Sequence, residues 1–340
     1  MVLGKTDIFV AGGGPAGLAA AIAARLKGFD VTVADAAQPP IDKACGEGLM
    51  PDSLDALHRL GIVPDPEQSF VFRGIRFIGQ GGSVAADFPR FPGIAVRRVR
   101  LHQLLIDRAE ALGVKLLWRT RVSGIDEIRA RWIIGADGTN SLVRRWAGLD
   151  EAASQSSRYG FRRHYRIAPW SDFMEVYWAD GRQMYVTPVS REEACVALIT
   201  RDPHQRIDAA LPHFPELARR LKFTETIGTE RGAITVTRRL RRIYRGNTVL
   251  IGDASGSVDA ITGEGMSLSF RQALVLAEAL VSGDLAQYQR AHRSMARRPA
   301  LMARLMLLLD KFPRARPHVL RAFAAEPVIF ERLLAVHAGA

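Results

Sequence analysis

The N-terminal part of the chain alternates apolar runs and glycine in a way that predicts a strand, a turn and a helix. Residues 7–11 are mostly apolar, as in a buried parallel strand. Residues 18–26 are rich in alanine and leucine, which favour a helix, and residues 31–34 predict a second strand. This order indicates a βαβ unit.

Two later segments, residues 68–97 and 156–200, alternate apolar and polar positions. This period predicts a half-buried antiparallel sheet that interrupts the first unit. On the strand predicted at residues 159–167, alternate side chains share a face. One face has Phe161, Arg163, Tyr165 and Ile167, and the other has Gly160, Arg162, His164 and Arg166.

The C-terminal pattern predicts helices. One covers about residues 266–281, and two more cover about 284–311 and 317–337, divided by Pro313 and Pro317. Leucines 301, 305, 308 and 309 share one helical face.

The turn after the first strand reads G-x-G-x-x-G and contains Gly12, Gly14, Pro15, Ala16 and Gly17. Gly12 allows the tight turn, Gly14 lets the backbone approach a pyrophosphate, and Gly17 lets helix and sheet pack closely. Asp35, 23 residues after Gly12, would accept hydrogen bonds from a ribose diol and repel a 2′-phosphate. The motif predicts that the chain binds FAD or NAD rather than NADP.

Composition limits the class of protein. The 340 residues are 48% hydrophobic and 24% charged, an ordinary globular balance. Two cysteines, Cys45 and Cys195, are too few for a disulfide framework or a cysteine zinc site, and we expect no metal. Apolar runs are far shorter than a membrane span and no signal sequence is evident, so we expect a cytoplasmic protein.

The formal charge is +12, and the last 51 residues, with ten Lys or Arg and three acids, supply +7 of it. Biased base composition is one explanation. For the C-terminal segment the default is ordinary packing over the active site with a solvated basic face. The alternatives are an acidic partner, such as a carrier protein, or an anionic membrane surface that holds the protein peripherally. No nucleic-acid-binding motif accompanies the charge, so we expect no nucleic acid partner.

Two further motifs choose the cofactor. Residues 135–144 read G-A-D-G-T-N-S-L-V-R, and residues 252–254 and 262–265 read G-D-A and T-G-E-G. With the first motif, they resemble FAD-dependent monooxygenases and reductases related to para-hydroxybenzoate hydroxylase and geranylgeranyl reductase, over about residues 5–285. The resemblance implies bound FAD, with NAD(P)H as a transient reductant.

The implied fold class is α/β: a Rossmann-like FAD-binding domain of the glutathione-reductase type, an interleaved antiparallel β-sheet substrate domain and C-terminal helices. We assign residues 1–67, 98–155 and 241–285 to the first domain, residues 68–97 and 156–240 to the second, and residues 286–340 to a C-terminal helical segment.

The resemblance also implies roles for residues at the cofactor. Asp253, after Gly252, would bind the ribityl chain. Gly263, Gly265 and Met266 would bring backbone N–H groups to the flavin pyrimidine edge. Asp137 and Gly138 would line the groove near the pyrophosphate, although Asp137 would also suit a turn cap. Arg98 would contact FAD, with Arg97 as the alternative.

Cys45 and Gly46 resemble a Cys-Gly pair that lies beside the flavin in the reductase branch. Cys45 would tune the flavin or line the pocket, or else be a small buried residue. His164 is a candidate for substrate binding or proton transfer, or an ordinary surface histidine. Tyr185 is a candidate pocket residue, or core. Cys195 is expected in a strand core.

Three functions remain open. An NAD(P)H-dependent monooxygenase acting on an aromatic or polyketide-like molecule is favoured, because that class dominates the architecture. A second reason is that only Tyr185, and not Gln183, matches the aromatic substrate motif of the reductases. The alternative is a reductase of C=C bonds in a lipophilic substrate, and a third is a flavin-binding partner without turnover.

Overall fold

The computed structural model describes residues 3–338. Its strands are β1 (Leu3–Ala11), β2 (Val31–Ala34), β3 (Gly48–Leu49), β4 (Ser69–Phe72), β5 (Gly74–Gly79), β6 (Gly82–Asp87), β7 (Gly93–Val96), β8 (Lys115–Leu117), β9 (Ile128–Gly135), β10 (Ala152–Arg166), β11 (Phe173–Ala179), β12 (Arg182–Pro188), β13 (Glu193–Thr200), β14 (Thr226–Leu240), β15 (Tyr244–Arg245) and β16 (Thr248–Leu250).

Its helices are α1 (Pro15–Leu26), α2 (Pro51–Arg59), α3 (Arg98–Ala111), α4 (Leu142–Trp146), α5 (Ile207–Ala210), α6 (Pro215–Leu221), α7 (Gly265–Ser282), α8 (Leu285–Met295), α9 (Arg297–Lys311), α10 (Arg316–Ala325) and α11 (Pro327–His337). The mixed α/β class with C-terminal helices is confirmed.

The predicted βαβ unit forms the centre of a six-stranded sheet with the order β15-β16-β9-β1-β2-β8. β1 pairs in parallel with β2 and β9, and the apolar residues toward the carboxyl ends of all three strands lie in one buried core. The carboxyl ends of β1, β9 and β16 therefore meet at one edge, where Ala11 and Leu250 both lie in register with Gly135.

The predicted antiparallel region forms a seven-stranded sheet with the order β14-β10-β13-β12-β11-β5-β6. The prediction was wrong at one place in this sheet, because β11 and β5 pair in parallel, while all other neighbours are antiparallel. The face that carries Phe161 and Tyr165 packs against α5 and α6. The prediction was wrong for both ends of residues 68–97. β4 and β7 leave the large sheet and pair with β3 in a three-stranded sheet of their own.

The C-terminal segment is helical, as predicted, but the helices begin and end at other residues than the pattern indicated. The segment predicted at 284–311 is two helices, α8 and α9, separated at Ala296. Pro299 explains the break, since it has no N–H for the carbonyl of Met295 and its ring would clash there. The segment at 317–337 also divides, because Pro327 disfavours helical geometry at Glu326.

The C-terminal helices are fastened to the large sheet rather than set apart from it. Asp310 of α9 is fully buried and accepts hydrogen bonds from Arg158 (2.9 Å), Gln183 (2.6 Å) and Arg201 (2.6 Å). Phe330 of α11 packs on Phe77 of β5, with ring centroids 5.0 Å apart. Among the described residues, no helix is both long and apolar enough to cross a bilayer.

Candidate functional site

A cavity of about 940 Å³ runs from the glycine-rich turn after β1 to the space under α9, α10 and α11. At one end it is a groove lined by the turns that follow β1, β9 and β16. At the other end it is a chamber whose walls are largely apolar, with Met174 and Val176 of β11 on one side and Met306 and Leu334 on the other. Every residue predicted to bind the cofactor lines this cavity except Gly17.

The glycines of the first motif do two different jobs. A Cβ on Gly12 would lie 2.4 Å from the Ala136 carbonyl oxygen, and one on Gly17 would lie 1.9 Å from the Gly12 oxygen. These two glycines therefore let α1 pack against the sheet. A Cβ on Gly14 would meet no atom of the described residues within 4 Å and would point into open space.

The same open space lies in front of other predicted cofactor glycines. Within residues 3–338, added Cβ atoms would meet nothing within 4 Å at Gly46, Gly138, Gly263 and Gly265. Together with Gly14, these positions mark the path along which backbone can approach a flat dinucleotide. The groove thus fits FAD.

Asp35 fastens the glycine turn as well as lining the groove. Its carboxylate accepts hydrogen bonds from the backbone N–H groups of Gly13 (2.7 Å) and Ala37 (2.8 Å). His102, which the sequence analysis missed, holds the other side of the turn, with Nε2 lying 2.7 Å from the Gly13 carbonyl oxygen. Burial lowers the pKa of His102, so the ring is neutral and donates this bond from Nε2.

Asp137 combines the two roles that the sequence left open. One carboxylate oxygen caps α4 by accepting from the N–H groups of Leu142 (2.6 Å) and Val143 (3.1 Å). The other oxygen is buried in the cavity wall and has no hydrogen-bond partner among the described residues. Such an atom is costly to bury unless a ligand satisfies it.

Asp253 lies at the middle of the groove. It accepts a hydrogen bond from the Thr139 hydroxyl (3.2 Å) and forms an ion pair with Lys43 (3.5 Å). Its side chain is 41% exposed, so its oxygens can accept further donors. Position and exposure suit the ribityl contact that the resemblance implies.

Two arginines at the start of α3 separate clearly. Arg98 lines the cavity, and Arg97 does not. The Nε atoms of both arginines are buried without a partner in the described part of the chain, so they do not distinguish the two. Arg97 points away and donates to Glu193 (3.3 Å) and to His164 Nδ1 (3.3 Å). The geometry favours Arg98 over Arg97 as the residue that contacts FAD.

The loop that contains Cys45 lies against the start of α7. The Cys45 sulfur is 4.0 Å from the Met266 sulfur and accepts a hydrogen bond from the Glu47 N–H (3.3 Å). Cys45 lines the cavity, and desolvation raises the pKa of its thiol, which stays protonated. Cys195 is fully buried in β13, as expected.

His164 does not line the chamber. It is 1% exposed and lies behind Glu47, with Nε2 2.6 Å from the Glu47 carboxylate. Its Nδ1 faces the guanidinium groups of Arg162 (3.1 Å) and Arg97 (3.3 Å), which can only donate. Nδ1 therefore accepts, and Nε2 carries the proton that it donates to Glu47. This position supports a role in holding the Cys45 loop rather than in binding substrate.

Glu47, His164 and Cys195 have possible ligand atoms within 4.8 Å of one another. Their neighbours disfavour a cation, since Arg97 and Arg162 bring positive charge against His164. Burial also raises the pKa of the Cys195 thiol well above its ordinary value, so it is protonated. We assign no metal to this cluster.

Tyr185 lies where the chamber meets the flavin end of the groove. Its hydroxyl donates to the Ile261 carbonyl oxygen (2.6 Å), and its ring lines the cavity. Desolvation raises the pKa of this phenol, so it is a fixed donor. Tyr185 thus anchors the loop that leads to Gly263 and Gly265.

Sequence reasoning missed a second pair, Glu264 and His337. Glu264 lies between the two glycines of that loop, and its Oε2 is 3.4 Å from His337 Nδ1 of α11. Both side chains are about 6% exposed, and neither atom forms a hydrogen bond within the described residues. Burial raises the pKa of Glu264 to about 8 and lowers that of His337 to about 4. At neutral pH the pair holds one proton, on Glu264, while the His337 ring lines the chamber.

Comparison with known proteins places these features in a family. A family model described as "FAD binding domain" matches residues 5–283. The menaquinone reductase of Mycobacterium tuberculosis is 30% identical over 92% of this chain and 86% of its own length. Digeranylgeranylglycerophospholipid reductase 1 of Methanothermobacter thermautotrophicus is 26% identical over 85% of this chain and 82% of its own.

A solved structure with the same fold is that of the flavin-dependent brominase Bmp2. It superimposes with a TM-score of 0.81 at 20% identity and covers 99% of this chain and 94% of its own. At this identity the likeness concerns the fold alone. The family match extends from the glycine turn through α7, and so includes every turn that lines the groove. The chain belongs to the FAD-binding-domain family and is an FAD-dependent oxidoreductase with the para-hydroxybenzoate-hydroxylase-like fold.

Proposed function

We propose that this flavoprotein reduces a carbon–carbon double bond in the polyprenyl chain of a lipid. The observation that carries the proposal is the cavity, in which a polar groove for FAD opens directly into an apolar chamber. An isoprenoid chain is apolar, flexible and long, and it suits such a chamber. The sequence analysis favoured a monooxygenase, and we now prefer its alternative, the reductase of C=C bonds.

The related reductases support this choice. Their names specify menaquinone and digeranylgeranylglycerophospholipid, two molecules with different head groups. What these molecules share is a polyprenyl chain with isolated double bonds. The Cys45-Gly46 resemblance to the reductase branch points the same way.

Several residues would hold FAD in the groove. Asp35 and Gly14 would face the adenosine and pyrophosphate part, Arg98 and the free oxygen of Asp137 the central part, and Asp253 the ribityl chain. The backbone at Gly263, Gly265 and Met266 would face the flavin. Reduced FAD supplies a hydride when bound, and NAD(P)H or another donor supplies the electrons.

Saturating a double bond also needs a proton, because the hydride goes to one carbon and a proton to the other. We assign this proton to the Glu264–His337 pair. The carboxyl of Glu264 is protonated at neutral pH, and His337 extends the pair to the chamber wall. Glu264 would give its proton to Nδ1 of the neutral His337 ring as the ring gives the proton of Nε2 to the substrate carbon. The ring would stay neutral, and Glu264 would end as the carboxylate, to be protonated again from solvent.

The remaining polar residues would position the site. Tyr185 fixes the Ile261 carbonyl and thereby the loop that carries Glu264. The Glu47–His164 pair fixes the loop that brings Cys45 to Met266. The apolar walls exclude water, which would otherwise compete for the proton.

The experiment is anaerobic turnover of a geranylgeranyl lipid by FAD-loaded protein with dithionite as reductant. We expect a product that gains two hydrogen atoms per reduced bond. Glu264→Gln should keep its flavin absorbance and lose roughly 10²–10⁴-fold in rate, the usual contribution of a general acid. Glu278→Gln, an exposed change on α7, is the matched control.

Two outcomes would contradict the proposal. A product that gains one oxygen atom, formed only with NAD(P)H in air, would support the monooxygenase of the sequence analysis. Firm FAD binding without turnover of either kind would favour a flavin-binding partner protein.

A further inference from the structure

The outer surface of α9 carries an apolar stripe that consists of Leu301, Leu305, Leu308 and Phe312. The spacing of four, three and four residues puts these side chains on one face of the helix. Leu301, Leu308 and Phe312 are each about half exposed, and Leu305 is 38% exposed. The first turn of α11 adds Val328 and Ile329, which are also about half exposed.

The apolar stripe is continuous with the chamber. Leu305 and Leu308 line the cavity and are also partly exposed, so they lie between the chamber and the outer surface of α9. Leu301 and Phe312 lie at either end of the stripe and do not line the cavity. An apolar chain that leaves the chamber here would therefore emerge among apolar side chains.

Basic residues surround the apolar stripe. Across residues 297–338 the exposed cations are Arg297, Arg298, Arg304, Lys311, Arg314, Arg321 and Arg332, and the exposed acids are Glu326 and Glu331. The acid Asp310 is buried and paired with arginines, so it does not reduce the surface charge. An apolar strip with a cationic border is the pattern of a helix that lies in a membrane interface.

We propose that the apolar stripe and its basic border dock on an anionic lipid bilayer, so that a polyprenyl substrate passes from the membrane into the chamber without crossing water. The proposal rests on the proposed function for the nature of the substrate. Charge complementarity selects this occupant, because a second copy of the chain would bring two basic surfaces together. An acidic protein would match the charge, but it would not explain why two residues of the stripe, Leu305 and Leu308, also line the chamber.

The test is flotation of FAD-loaded protein with vesicles of phosphatidylglycerol and phosphatidylcholine. We expect the protein to float with these vesicles, to stay unbound with phosphatidylcholine alone, and to be released by high salt. Leu301→Gln with Phe312→Gln should lower binding roughly tenfold or more, because two apolar side chains lose their burial. Arg298→Gln with Arg314→Gln should lower it by roughly fivefold per charge.

Matched controls come from other surfaces. Phe223 is 92% exposed on the β-sheet domain, and Arg241 and Arg242 are exposed on the FAD domain. Phe223→Gln and Arg241→Gln with Arg242→Gln should bind vesicles as the wild type does. Equal losses in these controls would show nonspecific attraction and would overturn the proposal.

Other outcomes also contradict it. Wild-type protein that stays unbound, or a Leu301→Gln, Phe312→Gln variant that floats fully, would rule out bilayer docking. A wild-type dimer that this variant abolishes, without vesicle binding, would assign the stripe to a second copy. Turnover separates the two claims, since the variant should be slow on lipid in vesicles and normal on lipid in detergent. If the wild-type protein turns over lipid neither in vesicles nor in detergent, that result would count against the proposed function and not against bilayer docking.

Discussion

Replacing Glu264 with Gln should change how the stability of the protein depends on pH. The pKa of Glu264 is about 8 in the folded protein against an ordinary 4.5. Between these values the folded protein holds a proton that the unfolded chain releases. The free energy of unfolding therefore falls as pH rises, by about 1.4 kcal/mol per pH unit.

His337 acts in the opposite direction. Its pKa is about 4 in the folded protein against an ordinary 6.5, so between these values the unfolded chain binds the extra proton. The free energy of unfolding then rises with pH at the same slope. In the wild type the two contributions cancel between about pH 4.5 and 6.5, and from about pH 6.5 to 8 only the loss due to Glu264 remains.

Gln cannot ionise, so Glu264→Gln removes the destabilising contribution and leaves that of His337. The variant should gain stability relative to the wild type by about 4 kcal/mol between pH 5 and pH 8. Asp52 and Arg271 also face Glu264, and they are unchanged in both proteins. Urea unfolding at equal excess FAD measures this difference at each pH, with Glu278→Gln as the exposed control. A difference that is the same at pH 5 and pH 8 would refute the assignment of a buried, protonated Glu264.

Four other substitutions test the cofactor groove. Gly14→Val should abolish FAD retention while the protein still folds, because the valine side chain enters the open space of the groove. Gly17→Ala should cost roughly 1–3 kcal/mol of stability, because the alanine Cβ would lie 1.9 Å from the Gly12 oxygen. Full flavin occupancy in the purified Gly14→Val protein would contradict the groove assignment. Asp253→Ala should fold but lose FAD on dialysis, with a reduction of affinity on the order of tenfold or more, and equal occupancy would reject its ribityl role. Cys45→Ser should shift the visible flavin spectrum at a stability cost on the order of 1 kcal/mol, and a lower melting temperature with an unchanged spectrum would make Cys45 a packing residue only.

The glycine motifs could be predicted because their requirements are local. Gly12 and Gly17 must be glycine because backbone atoms of the same βαβ unit lie where a Cβ would be, and Gly14 is identified by its place in the same turn. Helix breaks at Pro299 and Pro327 are equally local, and the sequence analysis overlooked them in favour of the apolar period. The βαβ unit, the large sheet and the C-terminal helices followed from such patterns.

The polar pairs could not be predicted in this way, because their members lie far apart in the chain. Glu47 and His164 are separated by 117 residues, and each alone resembles an ordinary charged or surface residue. Glu264 and His337 meet only because α11 folds back over the loop before α7. His164 lies between Arg162 and Arg166 on its strand face, but of these two only Arg162 contacts it, and the second contact comes from the distant Arg97.

The central claim is that the hydride and the proton end on a polyprenyl double bond, and single-turnover analysis tests it most directly. FAD-loaded protein would be reduced under argon, freed of excess dithionite, and mixed with menaquinone in phosphatidylglycerol vesicles, and the lipid would then be examined by mass spectrometry. We predict that the isoprenoid chain gains two hydrogen atoms for each FAD that is reoxidised. Reoxidation that leaves the isoprenoid chain unchanged, or that needs oxygen and adds an oxygen atom to the lipid, would contradict the account.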